Sequence, residues 1–345
     1  MQLEEIPDCP LCGAAGIPLY PNLKDKLFQV PGQWSVRRCD SSSCGQYWLD
    51  PRLTAEEIHL AYQSYHTHGS SRPQRDGRSS KLKQLLEEFD RFLFEAFIGH
   101  WYGYAIRDWR ARAWPLLYLL PARRRSYANR IMYLSRQEGG TLLDVGCGSG
   151  LFLQRMKLLG WQVQGVEPDP AAARQAREAC GLEVFAGTLQ QRQLPDDCFD
   201  VVVLSHVIEH LHDPAALLRE VYRILKKGGR LVLTTPNAES LGSRFFGPDW
   251  RGLEIPRHLQ IFNLKTLAAM ATGAGFEVSE IGTQIGTGYI LKASYAMRKN
   301  LPIIDARPRI GLLTNGVIKL ATECEHLLIG CWKNAGEELL LKARK

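Results

Sequence analysis

"TLLDVGCGSGLFLQRMKLLGWQVQGVEPDP" occupies residues 141–170, and its reading decides the fold. A short apolar run through Leu142, Leu143 and Val145 breaks on glycines at 146, 148 and 150, and apolar residues then recur at helical spacing as far as Gly160. "VQGVEP" predicts a second strand that stops at Glu167, after which Asp169 caps a helix and Pro170 takes its first position. A strand that enters a helix through glycines brings backbone N–H groups close to a ligand at a helix N-terminus. Nicotinamide-binding domains share such a turn, but there the spacing is G-x-G-x-x-G; here it is G-x-G-x-G after Asp144. Glu167 ends the second strand, where a carboxylate can accept both hydroxyls of a ribose.

The same alternation continues toward the C-terminus. "LEVFAG" predicts a third strand and "FDVVVLS" a fourth, apolar enough to be buried on both faces. "DPAALLREVYRILKKGG" predicts a helix capped by Asp213, with Pro214 at its start, lysines in its last turn and glycine as its stop. "RLVLTTPN" gives a fifth strand; a helix over "NLKTLAAMATGAG", a strand over "FEVSEIGTQ", a helical insertion at about 287–332 and a last strand in "EELLLKARK" follow. The expected fold class is α/β: a doubly wound, mainly parallel, seven-stranded, Rossmann-like sheet.

Residues 141–236 resemble a class I S-adenosylmethionine-dependent methyltransferase. Residues 144–150 match its first motif, Glu167 its second, and "LPDDCFDVVVLSHVIEHLHDP" with "VYRILKKGGRLVLTTPN" its fourth and fifth strands and their crossover helix. The resemblance implies S-adenosyl-L-methionine as cofactor. It implies that Gly146, Cys147, Gly148 and Gly150 pack on the methionine part with Asp144 behind them, and that Glu167 holds the ribose. Thr188 or Leu189 would line the adenine, and His206 would lie near the sulfonium. The layout as a whole looks like a subgroup associated with modifying sugars or lipids of bacterial surface polysaccharides.

Residues 1–64 form the first expected domain, a zinc-ribbon-like module with a following helix. "CPLCG" and "CDSSSCG" place Cys9, Cys12, Cys39 and Cys44 in two pairs, each followed by glycine, as in a structural four-thiolate zinc site. Thr54 and Glu57 form a candidate capping box. Residues 65–128 are the second: a linker, then a helical segment rich in arginine and aromatics. Over 91–136 nine arginines stand among Trp and Tyr with Glu95 and Asp108 as the only acids, which suits phosphate recognition, a membrane interface or a packed helical cap. Residues 129–345 carry the methyltransferase-like domain.

"SHVIEHLHDP" (205–214) follows the fourth strand. A helical turn there puts His206, Glu209 and His210 on one face, with His212 as a solvated connector. A histidine base oriented by Glu209 suits removal of a proton from an alcohol nucleophile. A divalent metal is the competing use. Small-RNA 2′-O-methyltransferases and ubiquinone-pathway O-methyltransferases look similar here, with Glu-x-x-Glu-His and a distant ligand; His206 stands in place of their first Glu, and His258 is available as the distant ligand. A third use is purely structural. "FFGPDWRGLEIPRHLQIF" (245–262) reads as a functional lid or a packed loop.

Hydrophobic content of 45% and charge content of 23% are those of a soluble globular protein, and the apolar stretch 310–332 is broken by Lys319, Glu323, Glu325 and His326. An odd number of cysteines, nine with five of them scattered, and an N-terminus without an apolar signal core suit a reducing cytoplasm. The expected reaction is O-methylation of a sugar-like or lipid-linked acceptor in cell-envelope biosynthesis, with residues 91–136 and the 310–332 stripe docking peripherally on the inner membrane face. Two alternatives stand: a zinc-containing RNA methyltransferase, and a cofactor-binding interaction protein without catalysis.

Overall fold

A computed structural model describes residues 1–62, 81–105, 109–284, 288–304, 307–328 and 332–345. The linker expected over 65–80 lies outside them, as do Arg107 and Cys331. The chain divides into two compact units, Met1–His66 with Leu204–Lys345, and Thr67–Val203. This division cuts across the expected domains, because the N-terminal module groups with the second half of the chain.

The large sheet contains β1 (Thr141–Val145), β2 (Gln162–Glu167), β3 (Glu183–Ala186), β4 (Phe199–Ser205), β5 (Leu225–Pro236), β6 (Glu277–Gln284) and β7 (Glu338–Arg344). Their order is β6-β7-β5-β4-β1-β2-β3. β1 runs parallel to β2 and β2 to β3, whereas β7 is antiparallel to both β5 and β6. This is the seven-stranded, mainly parallel Rossmann-like sheet that the alternation predicts.

In the unit Thr67–Val203, Leu142 and Leu143 are buried, and Asp200 of β4 accepts from both the backbone N–H and the hydroxyl of Thr141 at 2.8 Å. The helix Pro170–Cys180 begins as expected, with Asp169 accepting from the Ala171 N–H, and ends at left-handed Gly181. The arginine-rich segment folds into helix Lys81–Tyr102, a 3-10 stretch Trp109–Leu119 and helix Pro121–Arg130. Asp90, one acid outside the window that drew attention to the arginines, pairs with Arg123 and Arg130 at 2.9 Å and accepts from the Tyr127 hydroxyl. Arg124 lies over the rings of Trp101 and Tyr118. Of the uses the sequence leaves open, the geometry of these three arginines is that of packing. Leu85, Leu86 and Leu119 nevertheless remain more than half exposed.

In the other unit, strands Gly16–Leu23, Trp34–Cys39 and Tyr47–Leu49 form an antiparallel sheet whose fourth strand is Gln260–Ile261. Trp34, Leu49 and Leu53 share a core with Trp250, Leu253 and Leu259. The 245–262 segment is therefore interior packing rather than a lid: Trp250, Arg257, Leu259 and Phe262 are fully buried, and Phe245 is its one large exposed hydrophobic. Its aromatics supply the apolar area that a small N-terminal sheet lacks by itself. The capping box at Thr54 does not form. A short 3-10 helix, Ile58–Tyr62, takes the place of the expected helix, and the Glu57 carboxylate instead accepts from the Gln2 N–H.

Two further boundaries differ from expectation. The helix that begins at Pro214 ends at Ile224, and the two lysines belong to β5. Leu225 is fully buried in extended conformation and Gly228 is left-handed, so burial and the turn override the helical preference of lysine. The helical insertion consists of Tyr289–Arg298 and Leu312–Leu328, separated by a small hairpin of Ile303–Ile304 and Arg307–Pro308.

Candidate active site

The glycine turn after β1 has Gly146, Gly148 and Gly150 all in the left-handed region. At Gly150 a Cβ would fall 2.6 Å from Leu182 and 3.0 Å from Ala176, so nothing larger fits; at Gly148 a Cβ would meet no atom within 4 Å, so that side of the turn is open space. Cys147 turns inward, and Gly165 of β2 leaves room for its sulfur. The Glu167 carboxylate accepts from the Gly148 N–H at 2.7 Å and from the Asp169 N–H at 2.9 Å, tying the end of β2 to the turn. Asp144 is 4% exposed, and burial together with Glu167 pushes its carboxyl up to about 8. Two buried carboxylates thus stand behind an open glycine turn, an arrangement that favours a cation. After β3, the Thr188 hydroxyl accepts from the Gln191 N–H and caps the short helix Leu189–Arg192, whose Leu189 is buried.

In the other unit, the residues after β4 form a tight 3-10 turn, Ile208–His210, preceded by left-handed His206. At about three residues per turn, positions i and i+3 align while i+4 swings away. Hence the expected single face splits. The His206 Nδ1 lies 3.2 Å from Glu209, and its Nε2 lies 3.4 Å from Glu338 of β7. Burial works against a charge on His206, but Glu338 and Glu209 outweigh it and hold the imidazole well above its ordinary pKa. Burial also opposes ionisation of Glu209, yet His206 and then His210 and His258 bring it down to about 2, and the Thr235 hydroxyl donates to its second oxygen. The two carboxylates therefore favour the charged form of His206. Both of its nitrogens face a carboxylate, an arrangement that suits a positioning role better than that of a base.

His210 faces the other way. Its Nδ1 lies 3.1 Å from the Arg257 carbonyl and 3.0 Å from the Tyr62 hydroxyl. A carbonyl only accepts, so Nδ1 carries the proton and Nε2 the lone pair. His258 is held alike, with Nδ1 2.7 Å from the Gly252 carbonyl, and burial lowers it to about 4. Its ring packs edge-on to that of His210 at 4.7 Å, and one ligand atom each of Glu209, His210 and His258 lie within 4.8 Å of one another. His212 is not a solvated connector: its Nε2 is 2.8 Å from the Leu53 carbonyl. Tyr62, Thr235 and Glu338 are the residues that sequence reading missed. They come from three distant segments, and only Glu338, the one acid of the last strand and directly before Leu339, Leu340 and Leu341, carried any signal.

The four thiols of the N-terminal module also converge. The sulfurs of Cys9 and Cys44 are 3.8 Å apart, those of Cys12 and Cys39 3.5 Å, and all four lie within 4.8 Å of one another. A tetrahedral ion with metal–sulfur bonds of about 2.3 Å requires sulfur–sulfur edges of about 3.8 Å. Backbone N–H groups point at three of the sulfurs: those of Leu11 and Cys12 at Cys9, that of Ala14 at Cys12, and that of Gln46 at Cys44. Left-handed Gly13 and Gly45 make both turns possible.

Residues 120–281 match a family model described as "Methyltransferase domain". Over 155 residues the chain is 32% identical to a protein named ubiquinone biosynthesis O-methyltransferase from Pseudomonas paraeruginosa, spanning 41% of this chain and 67% of that relative. A probable S-adenosylmethionine-dependent methyltransferase from Mycolicibacterium smegmatis is 32% identical over 155 residues, 44% of this chain and 58% of the relative, so the match leaves much of that protein uncovered. Among solved structures, a SAM-dependent methyltransferase from Archaeoglobus fulgidus aligns with 66% of this chain and 94% of its own, at 24% identity and a TM-score of 0.43.

Proposed function

The chain belongs to the S-adenosylmethionine-dependent methyltransferases, and on that premise we propose that it methylates an oxygen of a sugar-like or lipid-linked acceptor in cell-envelope biosynthesis. The observation that carries the cofactor assignment is the pair of buried carboxylates, Asp144 and Glu167, behind the open glycine turn. S-adenosylmethionine fits this donor set: it brings a sulfonium and an ammonium to the carboxylates, and ribose hydroxyls to Glu167, since an ionised carboxylate is an acceptor only. Thr188, exposed at the start of the short helix it caps, is placed to border the adenine, with buried Leu189 fixing that helix beneath it.

When bound, the cofactor supplies an electrophilic methyl group, and in-line displacement at that carbon depends chiefly on positioning. The chain's own residues then have two tasks. His210, its Nδ1 proton held by the Arg257 carbonyl, takes the acceptor's hydroxyl proton on Nε2. His206, clamped by Glu209 and Glu338, stays charged and keeps the turn after β4 rigid. Substituting His210 by Ala should leave cofactor affinity intact and abolish transfer; unchanged transfer would remove His210 from the reaction.

One observation favours a second reading of the same residues. Glu209, His210 and His258 converge, with each imidazole's Nδ1 anchored on a carbonyl, as ligating histidines are. A divalent cation there would orient and acidify the acceptor hydroxyl. Restoration of transfer by Mg²⁺ or Mn²⁺ after EDTA treatment distinguishes this from a metal-free base.

The Cys9, Cys12, Cys39 and Cys44 cluster is proposed as a structural zinc site with no open position. Peripheral membrane docking is proposed on helix Leu312–Leu328, where Leu313, Val317 and Leu320 are 89%, 66% and 65% exposed along one stripe. Among the described residues, no helix is long and apolar enough to cross a membrane.

A further inference from the structure

Three segments of the N-terminal module reach the turn that carries His210. The Leu53 carbonyl lies 2.8 Å from the His212 Nε2. The Leu49 N–H donates to the Leu259 carbonyl at 3.0 Å, and the Leu259 N–H donates to the Glu209 carbonyl at 2.8 Å. Leu49 follows Trp48, which packs with Cys9, Cys39 and Cys44, so a backbone path runs from the cysteine cluster to the turn. The third segment ends in Tyr62, whose hydroxyl stands 3.0 Å from the His210 Nδ1. Tyr62 is firmly held: it closes the 3-10 helix Ile58–Tyr62 beside fully buried Ala61 and packs on the core of Trp34, Leu49 and Leu53.

The His210 Nδ1 proton thus has two acceptors, the Tyr62 oxygen at 3.0 Å and the Arg257 carbonyl at 3.1 Å. One acceptor fixes a single point of an imidazole and leaves the ring free to swing about it. A second acceptor, with the Tyr62 ring at 6.1 Å and the His258 ring at 4.7 Å, fixes its plane. The module also steadies the other acceptor, because the Arg257 guanidinium lies 3.3 Å over the ring of Phe28. Nε2 lies across the ring from Nδ1, so these contacts set its aim.

We propose that Tyr62 is a positioning residue for methyl transfer, supplied by the N-terminal module, which holds the His210 imidazole so that Nε2 is presented to the acceptor hydroxyl. This rests on the role given to His210 above, and the same aim serves whether Nε2 takes a proton or ligates a cation. The module then has a task in the reaction besides holding its own fold. Asp144 and Glu167, which face the cofactor, belong to the other unit, so loss of the Tyr62 hydroxyl should slow transfer without weakening cofactor binding.

Tyr62→Phe keeps the ring and removes the hydroxyl. With methyl-labelled S-adenosylmethionine and cell extract as the acceptor pool, its maximal rate should fall about tenfold or more, as for other partners that orient a functional histidine. KM for S-adenosylmethionine, calorimetric affinity and melting temperature should stay at their wild-type values. In protein carrying isotope-labelled histidine, the His210 Nδ1 resonance, identified by its absence from His210→Ala, should shift in Tyr62→Phe. Three results would each overturn the positioning role: full transfer by Tyr62→Phe where His210→Ala has lost it, a slower rate accompanied by a lower melting temperature or weaker cofactor affinity, or an unmoved His210 resonance. All three leave the proposed function standing. Transfer retained by His210→Ala would instead contradict that function, and this proposal with it.

Discussion

Asp144→Asn isolates the electrostatics of the cofactor site. Asp144 is buried beside Glu167, and its carboxyl is pushed up to about 8. The folded protein thus holds a proton that an unfolded chain releases near pH 4. The sign follows: stability from this group is fully present below about pH 4 and falls as pH rises through the folded value near 8. A bound cation reverses the preference, so S-adenosylmethionine should expel the proton. At pH 7 a group with pKa near 8 is roughly nine-tenths protonated, and binding should release close to one proton. The same linkage makes affinity rise by roughly thirty-fold between pH 5.5 and 7 if the carboxyl is fully ionised in the complex. Calorimetry in buffers of different ionisation heat measures the release directly. In Asp144→Asn the release should vanish and affinity should be flat over that range. Wild-type binding without proton release, or an Asn variant with the same pH slope, would refute the reasoning.

Glu167→Ala should weaken S-adenosylmethionine binding by about 2–4 kcal/mol through lost ribose hydrogen bonds, and should also lower thermal stability because the N–H groups of Gly148 and Asp169 lose their acceptor; calorimetry and thermal melts separate the two effects. Freshly purified, reduced protein should contain one zinc per chain by elemental analysis, and Cys9→Ser should reduce both metal content and melting temperature. His206, with its pKa raised by Glu338 and Glu209, contributes stability that is fully present below about pH 6.5 and lost as pH climbs through its folded value; His206→Gln should flatten that alkaline loss in denaturant titrations. Anionic vesicles should sediment the wild-type protein at low salt, whereas Leu313→Ser with Val317→Ser and Leu320→Ser should leave it in the supernatant. Wild-type protein that stays in solution would remove the docking proposal.

The large sheet was legible because its signals are local. Glycines at 146, 148 and 150, Asp169 before Pro170 and the apolar run of β4 each act within a few residues, and each formed the element expected. The cysteine pairs were legible for the same reason. What escaped depends on contacts between distant segments. Gln260–Ile261 looks like part of a loop until it pairs with Tyr47–Trp48, and the aromatics of 245–262 read as a lid because their partners lie two hundred residues earlier. The histidines and their competing uses were legible, but which imidazole is paired with carboxylates was not. A 3-10 turn in place of an α turn separated His206 from His210, and Glu338 and Arg257 decided which of them keeps a lone pair. The arginine segment was left with three open uses because Asp90, which pairs with Arg123 and Arg130, lies just outside the 91–136 window.

Transfer of label from methyl-labelled S-adenosylmethionine into cell extract, separated into lipid, nucleotide-sugar and RNA fractions, tests the central claim most directly. Wild-type protein should label the lipid or nucleotide-sugar fraction, and His210→Ala should bind the cofactor yet label nothing. Label confined to RNA would contradict the proposed acceptor, and cofactor binding with no transfer to any fraction would contradict the catalytic reading itself.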